Sequence, residues 1–136
     1  MSVSTSPSSG ADSALQILVV DDNRDAADSL AEILRLLGHT TSVVYSGKAA
    51  LQHVLEHPAD LVFLDLGLPE LDGYEVARRL RAQCGAHLRL VALTGYGSEQ
   101  DRERTREAGF DEHVVKPPDL DELEAAIARF AAERTR

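Results

Sequence analysis

The sequence predicts an α/β domain in which a parallel sheet is covered by helices on both faces. Five short apolar segments alternate with segments whose apolar residues recur every three or four positions, the spacing of an amphipathic helix. Strands that alternate with helices in this way form parallel sheets. The strand segments are almost uniformly apolar, which is typical of strands buried on both faces. A length of 136 residues suits a single domain.

The elements follow one another at regular intervals along the chain. The strands are predicted at residues 15–20, 39–45, 60–65, 88–94 and 112–115. The helices between them are expected to end at Gly38, Pro58, Gly85 and Ala108, and the fourth to begin at Ser98. Ser46, Asp72 and Asp119 precede helices as N-caps, and Asp72 and Asp119 are each followed three positions later by a glutamate, as in a capping box.

The helices are expected to bury one apolar stripe each against the sheet. The stripes of the second and fifth helices are predicted to consist of Ala50, Leu51, Val54 and Leu55, and of Leu120, Leu123, Ile127 and Phe130. The fourth helix is different, because nearly all of its residues between 99 and 107 are charged. Such a helix is either a solvated face held by pairs four residues apart or a surface for a partner.

The composition limits the classes of partner that the chain is expected to bind and the compartment in which it is expected. The chain has 14 basic and 23 acidic residues and a net charge of −9, which disfavours nucleic acid and anionic membranes as main partners. Its single cysteine, Cys84, excludes an internal disulfide and is expected to be a small buried residue. The absence of a disulfide fits a reducing cytosol, so we expect a cytoplasmic protein, and no apolar segment approaches membrane-spanning length. Residues 1–14 read as a flexible tail before a domain of residues 15–136.

Polar side chains stand where four of the predicted strands end. Asp21 and Asp22 follow the first strand, Asp65 ends the third, Thr94 ends the fourth and Lys116 follows the fifth. The carboxyl ends of parallel strands share one edge of the sheet, where ligands of such folds bind. Three carboxylates at one edge either raise a pKa or attract a cation. The sequence therefore predicts a charged site at this edge.

The residue types at this edge suggest phosphoryl chemistry. Oxygen ligands without histidine or cysteine favour Mg²⁺. An ionised Asp65 could then attack a phosphoryl group, whose oxygens Thr94 and Lys116 would hold. Gly67 would let the backbone turn a carbonyl toward the ion. Each residue also has an ordinary interpretation, as a helix cap, a turn former, a strand hydroxyl or a surface charge. Their conjunction is what favours a site.

The sequence resembles the receiver domain of bacterial two-component response regulators from about Gln16 to Phe130. The resemblance rests on four motifs and their spacing, which are ILVVDDN, VFLDLGLPELDG, ALTGYG and AGFDEHVVKP. It implies a flavodoxin-like, doubly wound (βα)5 sandwich of three layers, with a five-stranded parallel sheet in the order 2-1-3-4-5. It also implies a phosphoprotein of phosphorelay signalling that catalyses only its own phosphorylation and dephosphorylation.

The resemblance assigns a role to each residue of the predicted site. Asp65 becomes the phosphoacceptor, which forms 4-aspartylphosphate. Mg²⁺, with Mn²⁺ as a substitute, would be held by Asp22, Asp65 and the carbonyl of Gly67, and Asp21 would support the ion, often through water. Thr94 becomes the switch hydroxyl.

On the fifth strand the resemblance implies that Lys116 contacts the phosphoryl group and that the Lys116–Pro117 peptide bond is cis. The switch position three residues before that lysine usually holds Tyr or Phe, but here it is His113. A histidine there can ionise near neutral pH, which makes pH sensitivity a hypothesis. A solvent-exposed strand histidine is the alternative.

The expected partners follow from the same resemblance. A sensor histidine kinase or a histidine phosphotransfer protein would supply the phosphoryl group, and a downstream protein would read the face formed by the fourth helix, fifth strand and fifth helix. The chain would be a monomer or a phosphorylation-dependent dimer, without direct contact to nucleic acid or membrane. We expect a single-domain response regulator, with a receiver cut from a hybrid histidine kinase as the alternative.

Two further classes share parts of this pattern. An aspartyl-phosphate hydrolase also places an aspartate nucleophile at a strand end over Mg²⁺, but it carries a second acid two residues later, where this chain has Gly67. A binding module on the same fold that is never phosphorylated would be expected to lose the acidic pair or the lysine, and this chain keeps both.

Overall fold

The five strands form one parallel sheet in the order β2-β1-β3-β4-β5. The computed structural model describes residues 14–85, 87–95 and 99–134. The strands are β1 Gln16–Val20, β2 Thr40–Val44, β3 Leu61–Asp65, β4 Arg89–Thr94 and β5 Glu112–Val115. The helices are α1 Arg24–Leu36, α2 Gly47–Glu56, α3 Gly73–Cys84, α4 Glu99–Ala108 and α5 Leu120–Arg134. The predicted doubly wound fold and strand order are confirmed.

Two apolar clusters cover the two faces of the sheet. Leu18 and Val20 point to the cluster beneath α2, α3 and α4, whereas Ile17 and Val19 point to the cluster beneath α1 and α5. The same alternation continues in β3, all of whose residues are buried. A strand covered on both sides can be apolar throughout, because both of its faces leave water.

Side-chain caps begin the helices where the sequence predicts them. Ser46 and Asp72 accept hydrogen bonds from the backbone amides of Ala49 and Glu75. Asp119 likewise accepts from the amide of Glu122 at 2.8 Å. The capping box at Asp72 is only half formed, because the Glu75 carboxylate pairs with two arginines further along α3, Arg78 and Arg79.

Two predicted core residues are exposed, which corrects the predicted helix stripes. Leu55 is 63% exposed and Leu120 is 49% exposed. The buried positions of α2 are Gly47, Ala50 and Val54, and Leu55 is displaced from Val54 by about 100° around the helix. Leu120 is the first residue of α5, whose buried stripe begins one turn later at Leu123.

The structure describes some of the other residues predicted at helix ends and not others. Cys84, expected to be buried, is half-buried and packs against the core at the end of α3, where burial raises the pKa of its thiol. Gly85 ends this helix with φ at +81°, as predicted. Ser98, the expected start of the fourth helix, and residues 1–13 of the expected tail lie outside the described residues. Within the described part of the chain, no helix is long and apolar enough to cross a membrane.

Candidate functional site

Three carboxylates meet at the carboxyl edge of the sheet. The neighbouring strands β1 and β3 lie side by side; Asp21 directly follows β1 and Asp65 ends β3, and the two residues are 1% and 7% exposed. Asp22, the next residue after Asp21, is exposed. One carboxylate oxygen from each of the three lies within 4.8 Å of the others. We call these three residues the acidic cluster.

Helix capping does not account for the acidic cluster. The N-cap of α1 is Asn23, whose side chain accepts a hydrogen bond from the amide of Ala26 at 3.1 Å. Asp21 holds Asn23 in place, because its Oδ1 accepts the Asn23 amide at 3.0 Å. The second oxygen of Asp21 is thereby left to face the site.

Lys116 places an ammonium group between the two buried carboxylates. Its Nζ lies 3.2 Å from Asp21 Oδ2 and 3.5 Å from Asp65 Oδ2. Burial acts to lower the pKa of Lys116, but the charge of Asp65 and the hydrogen bond and charge of Asp21 outweigh it and raise that pKa. The backbone amide of Lys116 donates to the carbonyl of Thr94, and the Lys116–Pro117 bond is cis, as the resemblance implies.

The surroundings of Asp65 oppose its ionisation. Burial raises the pKa of its carboxyl group, and the negative charge of Asp21 adds to that rise. The backbone amide of Gly67, which donates to Asp65 Oδ1 at 3.1 Å, and the charge of Lys116 act in the opposite direction. Burial is the largest cause of the net rise and the charge of Asp21 adds to it, so a cation beside Asp65 would act to lower this pKa.

Thr94 brings a buried hydroxyl group to the site. Its Oγ1 is buried and forms no hydrogen bond with any described residue. An unsatisfied buried polar group costs about 1–3 kcal/mol, so an unpaired hydroxyl at a strand end is suited to a ligand. Thr94 opens onto a cavity of about 450 Å³, here called the Asp65 cavity. The cavity is lined by Asp65, Leu66, Gly67, Tyr74, Leu93, Thr94, Gly95 and Lys116.

The glycine that the site requires is Gly73 rather than Gly67. The positive-φ residues of the described chain do not include Gly67, and a Cβ there would lie an ordinary 3.8 Å from Asp65 Oδ1. A Cβ at Gly73 would lie 2.6 Å from the carbonyl oxygen of Asp65 and 2.7 Å from Leu66 Cα. The start of α3 therefore presses directly on the backbone that carries Asp65. The orientation of the Gly67 carbonyl toward an ion stays a prediction.

Two residues near the site escape sequence reasoning. Tyr74 is 7% exposed and lines the Asp65 cavity from the first turn of α3. The Arg104 guanidinium of α4 lies over the Tyr74 ring, 4.1 Å from its centre. The only signal in the sequence is the position of Tyr74 directly after Gly73, because the partner arginine comes 30 residues later in a helix full of charges.

His113 lies half-buried in β5, which differs from the fully exposed alternative. It lines a groove of about 240 Å³ between α4 and β5, together with Arg102, Thr105 and Arg106. Of these, the Thr105 side chain is buried and donates to the carbonyl of Arg102 at 2.8 Å. The switch role of His113 and its sensitivity to pH stay predictions.

Comparison with known proteins matches this geometry to one family. The family model described as response regulator receiver domain matches residues 17–128. The response regulator MprA of Mycobacterium ulcerans is 37% identical over 122 residues, which are 90% of this chain and 52% of the relative. The chain thus spans about half the length of the curated relatives it matches.

Solved structures give the same result. The receiver domain of a sensor histidine kinase from Pseudomonas aeruginosa, solved with a magnesium ion coordinated in its active-site cleft, is 32% identical with a TM-score of 0.79, covering 88% of this chain and 98% of that one. A CheY-like receiver domain protein from Methanospirillum hungatei supports the fold, with a TM-score of 0.82 at 24% identity, covering 90% of this chain and 97% of that one.

Proposed function

The chain belongs to the response regulator receiver domain family of two-component signalling, and from this premise we propose that it takes a phosphoryl group onto Asp65. One observation carries the proposal. Asp65 shares a single cavity with the unpaired hydroxyl of Thr94 and the ammonium group of Lys116, beside two further carboxylates. A nucleophile, a hydroxyl donor and a fixed cation are the groups that phosphoryl transfer to a carboxylate needs.

The acidic cluster fits Mg²⁺, with Mn²⁺ as a substitute. Its donors are carboxylate oxygens without histidine or cysteine, and a bound cation would offset the burial and the Asp21 charge that raise the pKa of Asp65. Asp22, Asp65 and the carbonyl of Gly67 would hold the ion directly, and Asp21 would support it. When bound, the ion supplies charge neutralisation for phosphoryl oxygens.

The chain's own residues account for the transfer. A carboxylate oxygen of Asp65 attacks the phosphorus of a phosphohistidine, a P–O bond forms, and the P–N bond breaks with its electron pair returning to the donor imidazole. Lys116 binds one phosphoryl oxygen in place of one of its carboxylate partners. The hydroxyl group of Thr94 donates a hydrogen bond to another phosphoryl oxygen. The product is an acyl phosphate, and attack by water on it reverses the modification.

An apolar cavity beside the site suits the phosphoryl donor. It measures about 340 Å³ and lies between α1 and the segment after β5. Its lining includes Ala26, Leu30, Ile33, Pro117 and Pro118, next to Asp21 and Lys116. We assign this surface to a helix of a sensor histidine kinase or histidine phosphotransfer protein, whose phosphohistidine would then face Asp65.

The surface that would transmit the signal can be proposed from where the charge of the phosphoryl group would lie. Phosphorylation adds about two negative charges at the mouth of the Asp65 cavity, which is lined by Thr94 and by Tyr74, the partner of Arg104. The face of α4, β5 and α5 would change with it and bind a downstream protein, or a second copy of the chain as a phosphorylation-dependent dimer. His113 lies in this face.

We further propose residues 15–136 as the receiver unit after a tail of residues 1–14. The unit would act in the cytoplasm without binding nucleic acid or membrane.

The single-domain response regulator and the receiver of a hybrid histidine kinase remain two forms of this proposal. This chain spans about half the length of the curated relatives it matches, and one similar structure is a receiver domain of a sensor histidine kinase. Both forms predict the same chemistry at Asp65. They differ in whether the kinase acts from another chain.

Intact-mass measurement tests the phosphorylation. The chain is incubated with Mg²⁺ and a small acyl-phosphate donor, and one added phosphoryl group is expected in the wild type and none in Asp65→Asn. Pulse measurements at short times separate a short-lived adduct from true turnover. Turnover without any adduct would instead favour an aspartyl-phosphate hydrolase, and neither adduct nor turnover would favour a binding module.

A further inference from the structure

Two histidines are paired at the far end of α2, away from the acidic cluster. His53 stands in the last turn of the helix and His57 is its C-cap residue. The centres of their rings are 4.9 Å apart and the ring planes are tilted by 37°. The segment reads HVLEH, and His57 follows the last helical residue with an extended backbone, so the ring contact, and not helical spacing, is what brings the two imidazoles together.

The distance between the rings is the one that a shared ion requires. Two imidazoles that bind one ion through Zn–N bonds of about 2.1 Å at a tetrahedral angle have ring centres about 5 Å apart. A chelate at His53 and His57 would therefore need rotation of side chains but no change in the helix. Two of the four positions of a tetrahedral ion would come from the chain.

The surroundings of the pair suit a cation. The carboxyl end of a helix carries partial negative charge from its free carbonyl groups. Glu56 adds a carboxylate next to His57 and is held by a hydrogen bond of 2.8 Å from Gln52. Both His57 and Glu56 are exposed, and His53 is half-buried, so an ion can enter from solvent.

An open cavity next to the pair leaves room for the remaining ligands. It measures about 270 Å³ and is bounded by the pair and by polar residues at the start of β1 and in β2. The polar residues are Gln16, Thr40 and Ser42. The cavity is lined from the amino-terminal part of the sheet, whereas Asp65 lies at the carboxyl edge, so the two sites are separate.

We propose that His53 and His57 form a binding site for a divalent ion of the zinc class, completed by water or by a small ligand in this cavity. Imidazole nitrogen suits Zn²⁺, Co²⁺, Ni²⁺ and Cu²⁺, whereas Mg²⁺ prefers oxygen. The chain would thus bind two different ions at opposite edges of its sheet. Nothing in this site depends on phosphorylation of Asp65.

Metal titration of the full, tag-free chain tests the site. Saturating Mg²⁺ is present throughout to occupy the acidic cluster, and Zn²⁺ binding is followed by calorimetry, with Co²⁺ absorption as a second readout. One equivalent should bind to the wild type. His53→Gln and His57→Gln should each weaken binding by at least about tenfold, whereas His87→Gln, at an exposed histidine in another loop, should not. Asp65→Asn should also leave Zn²⁺ binding unchanged.

Histidine NMR on the wild-type chain keeps the test independent of folding in the variants. On addition of Zn²⁺, the imidazole signals of His53 and His57 should shift together and before those of the other histidines. Equal affinity in wild type and in the two glutamine variants would overturn the proposal. So would Zn²⁺-dependent shifts confined to other histidines, or loss of binding in Asp65→Asn alone.

Discussion

The guanidinium group of Arg104 in α4 lies over the ring of Tyr74 in α3, with its carbon 4.1 Å from the ring centre. Tyr74 is almost fully buried and lines the Asp65 cavity. One aromatic side chain therefore contacts both the proposed phosphorylation site and the helix proposed to carry the output. This contact adds to the anchoring of α4 by its buried residues Thr105 and Ala108.

Replacing Arg104 should loosen that anchor. We expect Arg104→Gln to lower the free energy of unfolding by about 0.5–1 kcal/mol, because a cation–π contact of a partly exposed arginine is lost. Urea unfolding followed by circular dichroism measures the change. Arg102→Gln is the matched control, since it also removes one exposed arginine from α4. Equal effects of the two substitutions would show that the Tyr74 contact contributes nothing specific.

Lys116 should stabilise the metal-free protein more than the metal-bound protein. Lys116→Gln leaves Asp21 and Asp65 buried without their ammonium partner, which should cost about 1–3 kcal/mol of stability at neutral pH. Mg²⁺ should then raise the melting temperature of Lys116→Gln more than that of the wild type. Lys48→Gln, at an exposed lysine, serves as control. An equal Mg²⁺ response in all three proteins would contradict this prediction.

Asp65 should destabilise the metal-free domain as pH rises. Burial raises the pKa of this carboxyl group and the charge of Asp21 raises it further, so the folded state holds the proton more tightly than the unfolded chain. The free energy of unfolding therefore falls as pH rises from the ordinary carboxyl pKa of about 4 through the raised value.

Asp65→Asn removes this penalty. Without Mg²⁺ at neutral pH, the variant should melt several degrees above the wild type, since 1 kcal/mol corresponds to roughly 4 °C in a domain of this size. The advantage should vanish below pH 4, where Asp65 is protonated in both states, and shrink with Mg²⁺. Glu32→Gln, at an exposed acid in α1, controls for net charge. A variant less stable than the wild type at neutral pH would refute the argument.

The two glycines near Asp65 should differ in how much stability one added methyl group costs. Gly73→Ala should cost about 1–3 kcal/mol and slow phosphorylation of Asp65, because its Cβ would overlap the backbone of Asp65 and Leu66. Gly67→Ala should change stability by less than about 0.5 kcal/mol, because its Cβ fits. Urea unfolding and the rate of adduct formation measure both effects. Similar stabilities for the two variants would exclude the proposed close approach.

Glu70 holds a backbone conformation that favours glycine. Its φ is +64°, in the left-handed region, and its side chain is exposed. Glu70→Gly should therefore raise the free energy of unfolding by about 0.5–1 kcal/mol, the relief of strain less the added flexibility of the unfolded chain. Glu124→Gly, in the interior of α5, should instead lower the free energy of unfolding by about 1 kcal/mol. Thermal melts of both variants check the difference in sign.

The sequence by itself determined the elements of this protein and the residues at its strand ends. Apolar runs and helical spacing predict five strands, five helices and a doubly covered parallel sheet, because burial of apolar surface follows those periods. Ser46, Asp72 and Asp119 mark helix starts through local hydrogen bonds. The residues that form each of these signals lie close together in the sequence, so the signals can be recognised without knowledge of the fold.

Which side chains meet and which are buried depends on how the elements pack. The ion pair of Lys116 with Asp21 joins residues 95 positions apart, and the contact of Arg104 with Tyr74 joins two helices. The exposure of Leu55 depends on how little of α2 the sheet covers, which its helical spacing does not reveal. Packing of the whole chain sets both the burial of Asp65 and its distances to Asp21 and Lys116, and these together determine the direction of its pKa shift.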